Sequence, residues 1–118
     1  MRLGILKEPE GENRVAIVPN SVKKLKKNGF KVYVESGAGI LSNYSDELYS
    51  NQGAIVSKRE DVLSCELLIT IRLLKKIELR KGMMLACVAD PFRQPEMIQV
   101  CMDLGVTLFS MDMIPRRL

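Results

Sequence analysis

Arg14 is the residue of the N-terminal region best suited to bind an anion. It lies in a charged segment, residues 7–19, which separates the first apolar run from the first helical pattern and is long for such a connection. Beside the apolar residues 15–17, a guanidinium held partly out of water could bind a carboxylate through two parallel hydrogen bonds. Composition alone favours the simpler alternative, a surface ion pair with an acidic neighbour: Glu8, Glu10 or Glu12.

Asp90 is a second candidate, because it follows the apolar run from Met84 to Val88. An acidic side chain at the carboxyl end of a buried strand stands where parallel sheets collect their functional groups. It could equally cap the next turn, and the sequence favours neither role. Lys7, which opens the charged segment, joins Arg14 and Asp90 in the predicted substrate pocket.

Two glycines, Gly37 and Gly39, resemble part of a phosphate-binding turn. The third glycine of that fingerprint is replaced by Ser42, so a turn that requires a positive φ is the better interpretation. The three cysteines form no Cys-x-x-Cys pair and are interpreted as buried reduced thiols. The chain has no histidine, the commonest general base and transition-metal ligand, and we predict no metal site.

Four lysines within residues 23–27 supply much of the net charge of +4. A nucleic-acid interface has to be considered. The lysines flank Val22 and Leu25 in a helical pattern, which predicts a solvated helix face, and the few aromatic residues offer little surface for base stacking. We therefore predict no nucleic-acid partner. Apolar runs far shorter than about 20 residues predict no membrane insertion, and the lack of a signal-peptide pattern makes a cytoplasmic protein the simplest expectation.

Short β-rich runs alternate with helical patterns along the chain. Strands are predicted at residues 2–6, 31–34, 54–56, 67–71, 84–88 and 106–109, and helices after Asn20, Ser45 and Pro95, with a helical turn at 59–63. This alternation predicts a flavodoxin-like three-layer α/β domain, a mostly parallel sheet with helices on both faces. Because such sheets bind ligands beyond the carboxyl ends of their strands, we expect Asp112 and Arg116, after the last strand, to lie at the same edge as Arg14.

Several ordered stretches resemble the opening of the alanine dehydrogenase and transhydrogenase family. They are Arg2 to Glu8, Asn13 to Ala16, Val34 to Gly39, Ser45-Asp46 and Gln52 to Ala54. The resemblance runs from end to end of the chain. It implies that residues 1–118 form the N-terminal domain of this family, without the Rossmann NAD-binding domain that follows it in family members.

Later residues favour the transhydrogenase branch of the family. Gln94 to Met97 is similar to the Asn-Pro-Glu-Leu-like helix start of transhydrogenase alpha subunits, and Met111 to Arg116 matches their Met-Asp-x-x-Pro-Arg motif. Alanine dehydrogenases instead carry a catalytic histidine at about the position of Asp90. They also carry a substrate-binding lysine in the preceding strand, where this chain has residues 68–72.

The transhydrogenase resemblance implies an activity, cofactors and partners. The full subunit would bind NAD(H) mainly in the following Rossmann domain and pass hydride to NADP(H) on a partner subunit, while a membrane segment couples this transfer to proton movement. Arg116 would lie near the nicotinamide end of NAD(H), and Arg14 matches the arginine that holds the substrate carboxylate in alanine dehydrogenases. Expected partners are a second copy in a homodimer and the membrane and NADP-binding subunit, which would hold a cytoplasmic domain at the inner membrane.

Two departures from the family pattern weaken the expectation of activity. Arg117 and Leu118 replace the beginning of a Ser-Arg-Ala-Gln-like stretch rich in NAD contacts, and Thr70 stands where both branches tend to keep a lysine. The isolated chain is expected to be inactive, because hydride transfer would need the Rossmann domain to fix the nicotinamide geometry. Two alternatives remain: an alanine dehydrogenase-like fragment, and a non-catalytic binding module that docks through the apolar residues 111–114.

Overall fold

The computed structural model describes residues 1–87 and 95–110. These ranges contain six strands, four α-helices and two short 3₁₀ turns, the latter at Ile40–Ser42 and Lys76–Glu78. In chain order, the main elements are β1 Arg2–Ile5, α1 Pro19–Lys27, β2 Lys31–Glu35, α2 Asp46–Asn51, β3 Ile55–Ser57, α3 Arg59–Leu63, β4 Leu67–Thr70, β5 Met84–Cys87, α4 Pro95–Leu104 and β6 Thr107–Ser110.

The six strands form one parallel sheet in the order β3-β2-β1-β4-β5-β6. β1 is central, because Leu3 pairs with Val32 of β2 on one side and with Leu67 of β4 on the other. The predicted α/β class and parallel sheet are confirmed. The order refines the flavodoxin-like expectation, since it is that of the six-stranded doubly wound fold, whose winding reverses between the first and fourth strands.

Each face of the sheet carries its own hydrophobic core. On one face, Ile5 of β1 belongs to a buried cluster with Val22 of α1 and Tyr49 of α2. On the other face, Leu68 of β4 belongs to a buried cluster that includes Cys101 of α4. Apolar residues alternate between the two clusters along β2 and β4, as the pleat requires. Helices on both faces, which the sequence predicted, are confirmed.

The starts of α1 and α2 depend on different residues. α1 begins at Pro19, just before the expected Asn20 start, because the fixed φ of proline suits the first helical position. Its N-cap residue, Val18, offers no capping hydrogen bond from its side chain. Ser45 caps α2 as predicted, and its hydroxyl oxygen accepts a hydrogen bond from the Leu48 backbone N–H at 3.3 Å.

Gly4 allows α3 to pack directly on the centre of the sheet. A Cβ atom at this position would lie 2.8 Å from the carbonyl oxygen of Val62 and 2.7 Å from Cδ2 of Leu68. No side chain fits in that space, so the short helix α3 can bury Val62 beneath the sheet. The position of α3 matters for the site, because its first residue, Arg59, reaches the carboxyl edge of the strands.

The three cysteines are buried, as predicted from their apolar surroundings. Within the described ranges, no helix is both long enough and apolar enough to cross a bilayer.

Candidate functional site

A cavity of about 420 Å³ opens at the carboxyl edge of the sheet. It lies beside the ends of β1 and β4, where the winding of the sheet reverses and where open parallel sheets bind ligands. Its volume is ordinary for a small-molecule site. The apolar part of its wall includes Leu6, Leu73, Leu74 and Ile77.

Glu8 connects the charged segment after β1 to the residues that follow β4. Its two carboxylate oxygens accept the backbone N–H groups of Ile71 and Arg72, each at 2.9 Å. Burial raises the pKa of Glu8, and the two backbone hydrogen bonds offset part of that rise. A carboxylate of the protein itself thus occupies the first N–H groups beyond β4.

Arg59 lies between two carboxylates on one wall of the cavity. Its Nη1 is 2.6 Å from Oε1 of Glu35, and its Nε is 2.6 Å from Oε2 of Glu78. The same guanidinium donates to the carbonyl oxygen of Lys7 at 3.2 Å, while the Lys7 backbone N–H donates to Glu35 at 2.9 Å. Hydrogen bonding from Arg59 lowers the pKa of Glu78. We call these three residues, Arg59, Glu35 and Glu78, the Arg59 cluster.

Glu12 lies between two arginines in the reverse arrangement, and we call Glu12, Arg14 and Arg72 the Glu12 cluster. The Glu12 carboxylate accepts two parallel hydrogen bonds from Nε and Nη2 of Arg14, both at 2.9 Å, and a third from Nε of Arg72 at 2.9 Å. The hydrogen bonds from Arg14 are the main reason that the pKa of Glu12 is lowered to about 2. Only 7% of the Glu12 side chain is exposed, against 62% of Arg14 and 56% of Arg72.

Thr70 places a buried hydroxyl beside the cavity. Thr70 is 1% exposed and lines the cavity, and its Oγ1 has no hydrogen-bond partner among the described residues. A buried hydroxyl without a partner costs free energy, so this atom is available to a ligand or to a water molecule.

The segment that carries Arg14 is held at two points. The Ser42 hydroxyl donates to the carbonyl oxygen of Asn13 at 2.6 Å, and the Tyr49 hydroxyl donates to that of Ile17 at 2.7 Å. These bonds come from the residues that follow β2, so the backbone on both sides of Arg14 is fixed to the rest of the domain.

The glycine turn after β2 is occupied by a carboxylate of the protein itself. Asp46 accepts the backbone N–H of Gly37 at 2.8 Å and the hydroxyl of Ser36 at 2.6 Å, and Gly37 has a φ of 83°. The prediction of a turn with positive φ is confirmed. The four lysines of α1 are all exposed, as the solvated-face prediction required.

The predicted pocket residues fall in different places. Lys7 lines the cavity, whereas Arg14 is outside its lining and is joined to it through Glu12 and Arg72. The surface ion pair considered for Arg14 is present, and its partner is Glu12. Asp90 and Arg116 lie outside the described residues, as do Asp112 and the apolar residues 111–114.

Sequence reasoning missed most of the polar residues that shape the cavity. Arg59, Arg72 and Glu78 were not singled out, and neither was the role of Glu8 as an acceptor for backbone N–H groups beyond β4. A weak signal existed, because several acidic residues stand next to apolar runs at strand ends. In the described part of the chain, no three Cys, Asp or Glu residues are grouped so that they could hold a metal ion.

Comparison with known proteins identifies the family to which this chain is similar. Residues 4–118 match the family model described as "Alanine dehydrogenase/PNT, N-terminal domain". The chain belongs to this family. It is 34% identical over 98% of its length to the NAD(P) transhydrogenase subunit alpha of Cereibacter sphaeroides, and 33% identical over 97% of its length to the alanine dehydrogenase of Bacillus subtilis (strain 168). The chain spans only 23% and 32% of those two relatives, which are named as oxidoreductases.

Solved structures of both branches share the fold. The transhydrogenase from Sinorhizobium meliloti superposes with a TM-score of 0.91 at 35% identity, covering 99% of this chain and 36% of that one. An L-alanine dehydrogenase superposes with a TM-score of 0.83 at 28% identity, covering 93% of this chain and 32% of that one. The family and the fold therefore agree with the resemblance identified in the sequence.

Proposed function

We propose that this chain is the N-terminal domain of the alpha subunit of a proton-translocating NAD(P) transhydrogenase, which transfers hydride between NADH and NADP. The observation that carries the proposal is the superposition on a transhydrogenase, whose TM-score of 0.91 exceeds the 0.83 found for an alanine dehydrogenase. The absence of histidine supports the same branch, since the resemblance gives alanine dehydrogenases a catalytic histidine at about Asp90.

The described residues do not fit the phosphates of a dinucleotide at the glycine turn. The Gly37 N–H that a pyrophosphate would need is taken by Asp46, and a second anion there would meet a carboxylate. In the proposed subunit, NAD(H) is bound mainly by a separate Rossmann domain, as the family resemblance implies. NAD(H), when bound, would supply the hydride, while the protein would supply binding and orientation.

Four residues of this chain receive roles in the proposal, and none of them is assigned as catalytic. Arg116 would bind the nicotinamide end of NAD(H), as the family resemblance implies, while Arg14, Lys7 and Asp90 are assigned to the substrate pocket. Among the charged residues that line the cavity, four are basic and three are acidic, which supports a pocket that favours anions: Lys7, Arg59, Arg72 and Lys75 against Glu8, Glu35 and Glu78. Hydride transfer needs donor and acceptor in fixed contact, so the domain alone is expected to be inactive.

The proposed assembly is a homodimer of alpha subunits joined to the membrane and NADP(H)-binding subunit. That arrangement keeps this domain in the cytoplasm and holds it at the inner membrane through its partners, and no nucleic acid takes part.

The test uses the intact protein that carries this chain, together with its partner subunit. We expect transfer of hydride from NADH to NADP⁺, and we expect Arg116→Ala to weaken NADH binding by about tenfold, a typical loss for one charged contact. Arg80→Ala, at an exposed arginine outside the cavity lining, is the control and should leave NADH affinity within about twofold. Equal NADH affinity in all three proteins would remove Arg116 from the cofactor site.

The second candidate is an alanine dehydrogenase-like function, which the 33% identity to the Bacillus subtilis enzyme favours. In that case the intact protein would reduce NAD⁺ with L-alanine and without any partner subunit. Alanine-dependent reduction without hydride transfer to NADP⁺ would replace the transhydrogenase proposal. Absence of both reactions would favour a non-catalytic binding module.

A further inference from the structure

The exposed side of α1 is strongly positive. Residues 15–34 contain five lysines and no acidic residue, and four of these lysines belong to α1. All four are exposed, and none forms an ion pair within residues 1–87 and 95–110: Lys23, Lys24, Lys26 and Lys27. Because Val22 buries the opposite side of the helix in the core, the lysines point to solvent.

The neighbouring helix α2 does not neutralise this charge. Its last turn contributes the neutral amides of Asn51 and Gln52, which line a groove together with three of the lysines. The acidic residues of α2 lie instead in its first turn. Lys26 lies across the end of α2, since a Cβ atom on Gly53 would be only 2.5 Å from its Nζ. The other three lysines of α1 are left to contact a partner.

Exposed aliphatic side chains adjoin the lysines. Asn51 and Gln52 also line a second groove, of about 190 Å³, and its wall includes Val18 and Leu48. Both of these aliphatic residues are exposed. The groove is smaller than the roughly 300 Å³ at which small-molecule sites begin, so it favours a broad surface as its partner.

The turn Ile40–Ser42 adds two more exposed aliphatic side chains, those of Ile40 and Leu41. The Ser42 hydroxyl donates to the carbonyl oxygen of Asn13, which fixes this turn beside the segment that enters α1. Positive and aliphatic side chains are therefore neighbours in this part of the surface.

We propose that the four lysines of α1, together with Val18 and Leu48, form a contact surface for a bilayer that contains anionic phospholipids. We call this surface the α1–α2 face. Its lysines bind headgroup phosphates, and its aliphatic side chains contact the boundary between headgroups and acyl chains. Such contact is peripheral and needs no spanning segment. The inference goes beyond the proposed function, which holds this domain at the membrane only through its partner subunits.

The combination of charge and aliphatic side chains favours a bilayer over a soluble polyanion. A single-stranded nucleic acid offers phosphates to lysines, but it stacks its bases on aromatic rings, and the exposed apolar residues of the α1–α2 face are aliphatic. Free phosphate would leave those aliphatic side chains in water. An anionic bilayer satisfies both groups, and each lysine near it strengthens binding by about fivefold.

The test measures binding of the 118-residue chain to vesicles of phosphatidylcholine with about one-third phosphatidylglycerol. Vesicles are separated from free protein by sedimentation, and pure phosphatidylcholine vesicles are the lipid control. We expect saturable binding to the anionic vesicles, at least about tenfold weaker binding to the neutral ones, and weaker binding as salt screens the lysines.

Two triple variants test whether the position of the charges matters. Each removes three positive charges, so the two have the same net charge. The first changes three lysines of the α1–α2 face: Lys23→Gln, Lys24→Gln and Lys27→Gln. The control changes three exposed basic residues elsewhere: Lys58→Gln, Arg80→Gln and Lys81→Gln. The first should weaken binding on the order of 100-fold, and the control by less than about threefold. Exposed substitutions of this kind leave the fold intact.

The aliphatic part of the face is tested with Leu48→Gln. It should weaken vesicle binding by about threefold, since a polar side chain gains less from the headgroup boundary. Met102→Gln is the matched control, because Met102 is an exposed apolar residue of another helix, α4, and it should leave binding unchanged.

Four outcomes would overturn the proposal. They are equal affinity for anionic and neutral vesicles, equal losses in the two triple variants, unchanged vesicle affinity in Leu48→Gln, and binding to poly(U) as tight as to anionic vesicles at equal phosphate concentration. The last two would assign the lysines to a soluble polyanion instead of a bilayer. Hydride transfer in the intact protein is measured separately, so the proposed function stands or falls on its own assay.

Discussion

Two arginine–carboxylate clusters at one edge of the sheet have opposite compositions. In the Arg59 cluster, one guanidinium lies between two carboxylates, and 32% of its side chain is exposed. In the Glu12 cluster, one buried carboxylate lies between two guanidinium groups that are mostly exposed. The same chemistry therefore serves two purposes. The charged groups of the Arg59 cluster are mostly buried, and their ion pairs connect β2, α3 and the Lys76–Glu78 turn. The Glu12 cluster instead exposes its positive charge to solvent.

The largest effect that would test this contrast is expected from Arg59→Met. The substitution leaves Glu35 and Glu78 mostly buried and without their partner, and we expect the free energy of unfolding to fall by about 2–3 kcal/mol. Urea unfolding provides the measurement. Arg80→Met is the control, because Arg80 is exposed and its side chain forms no ion pair with the described residues, so it should cost less than about 0.5 kcal/mol. Equal losses in both variants would show that the Arg59 cluster is not structural.

The next effect is a dependence of stability on pH through Glu12. Its pKa falls from 4.5 to about 2 on folding, so its contribution is complete above pH 4.5 and is lost as the pH falls toward 2. We expect that loss to be about 1–2 kcal/mol, reduced by the exposure of both arginines. Urea unfolding between pH 6 and about 2 should show a shallower loss in Glu12→Gln than in Glu10→Gln. Parallel curves for the two variants would contradict the lowered pKa.

Glu8 acts with the opposite sign in the same experiment. Burial raises its pKa, so the folded chain binds a proton more readily than the unfolded chain does. Its protonation therefore adds stability as the pH falls through the raised value, before the loss from Glu12 begins.

A smaller effect is expected from Thr70→Val, between the two clusters. The change removes a buried hydroxyl that lacks a partner among the described residues and keeps the branched shape, so we expect a gain of about 0.5–1 kcal/mol in unfolding free energy. Thr107→Val, at an exposed position of β6, is the control and should change stability less. A loss of stability specific to Thr70→Val would show that the hydroxyl is held by a bound molecule.

A loss of about 0.5–1 kcal/mol in urea unfolding is expected from Arg14→Met. The change removes the main partner of the buried Glu12 carboxylate but leaves Arg72 in place, whereas Arg59→Met takes the partner from two carboxylates. The comparison with Arg59→Met, made under the same conditions, is the sharpest measure of the contrast between the clusters. A loss in Arg14→Met as large as that in Arg59→Met would make the two clusters equivalent.

Much of the fold followed from the sequence because local patterns determine it. The continuous apolar run of β4 and the alternation of strand and helix signals predict a buried parallel sheet with helices on both faces. Ser45 and Gly53 marked the ends of α2 through local hydrogen bonds and a positive φ of 97°. The observed strand ends differ from the predicted ones by about one residue, since pairing with neighbouring strands decides where each strand ends.

The site was harder to predict, because its contacts join distant parts of the chain. Arg59 meets Glu35 and Glu78 across 24 and 19 residues, and Arg72 meets Glu12 across 60. No local spacing encodes those pairs. The sequence did present Glu12 as one of three partners for Arg14, but could not choose among them. The choice depends on burial, which follows from how the charged segment folds back across the sheet.

The central position of β1 affects how the chain can fold as it leaves the ribosome. β1 is the first strand to be synthesised, and one of its two neighbours in the sheet is β4. Leu3 therefore cannot pair with Leu67 until Leu67 has been synthesised. At usual rates of synthesis, that interval is on the order of several seconds. During this time β1 and β2 have an apolar edge without its partner, which is a route to aggregation. Early folding of this domain is thus limited by the pairing of β1 with the distant β4. A chaperone that protects roughly the first 60 residues would be expected to raise the yield of folded protein.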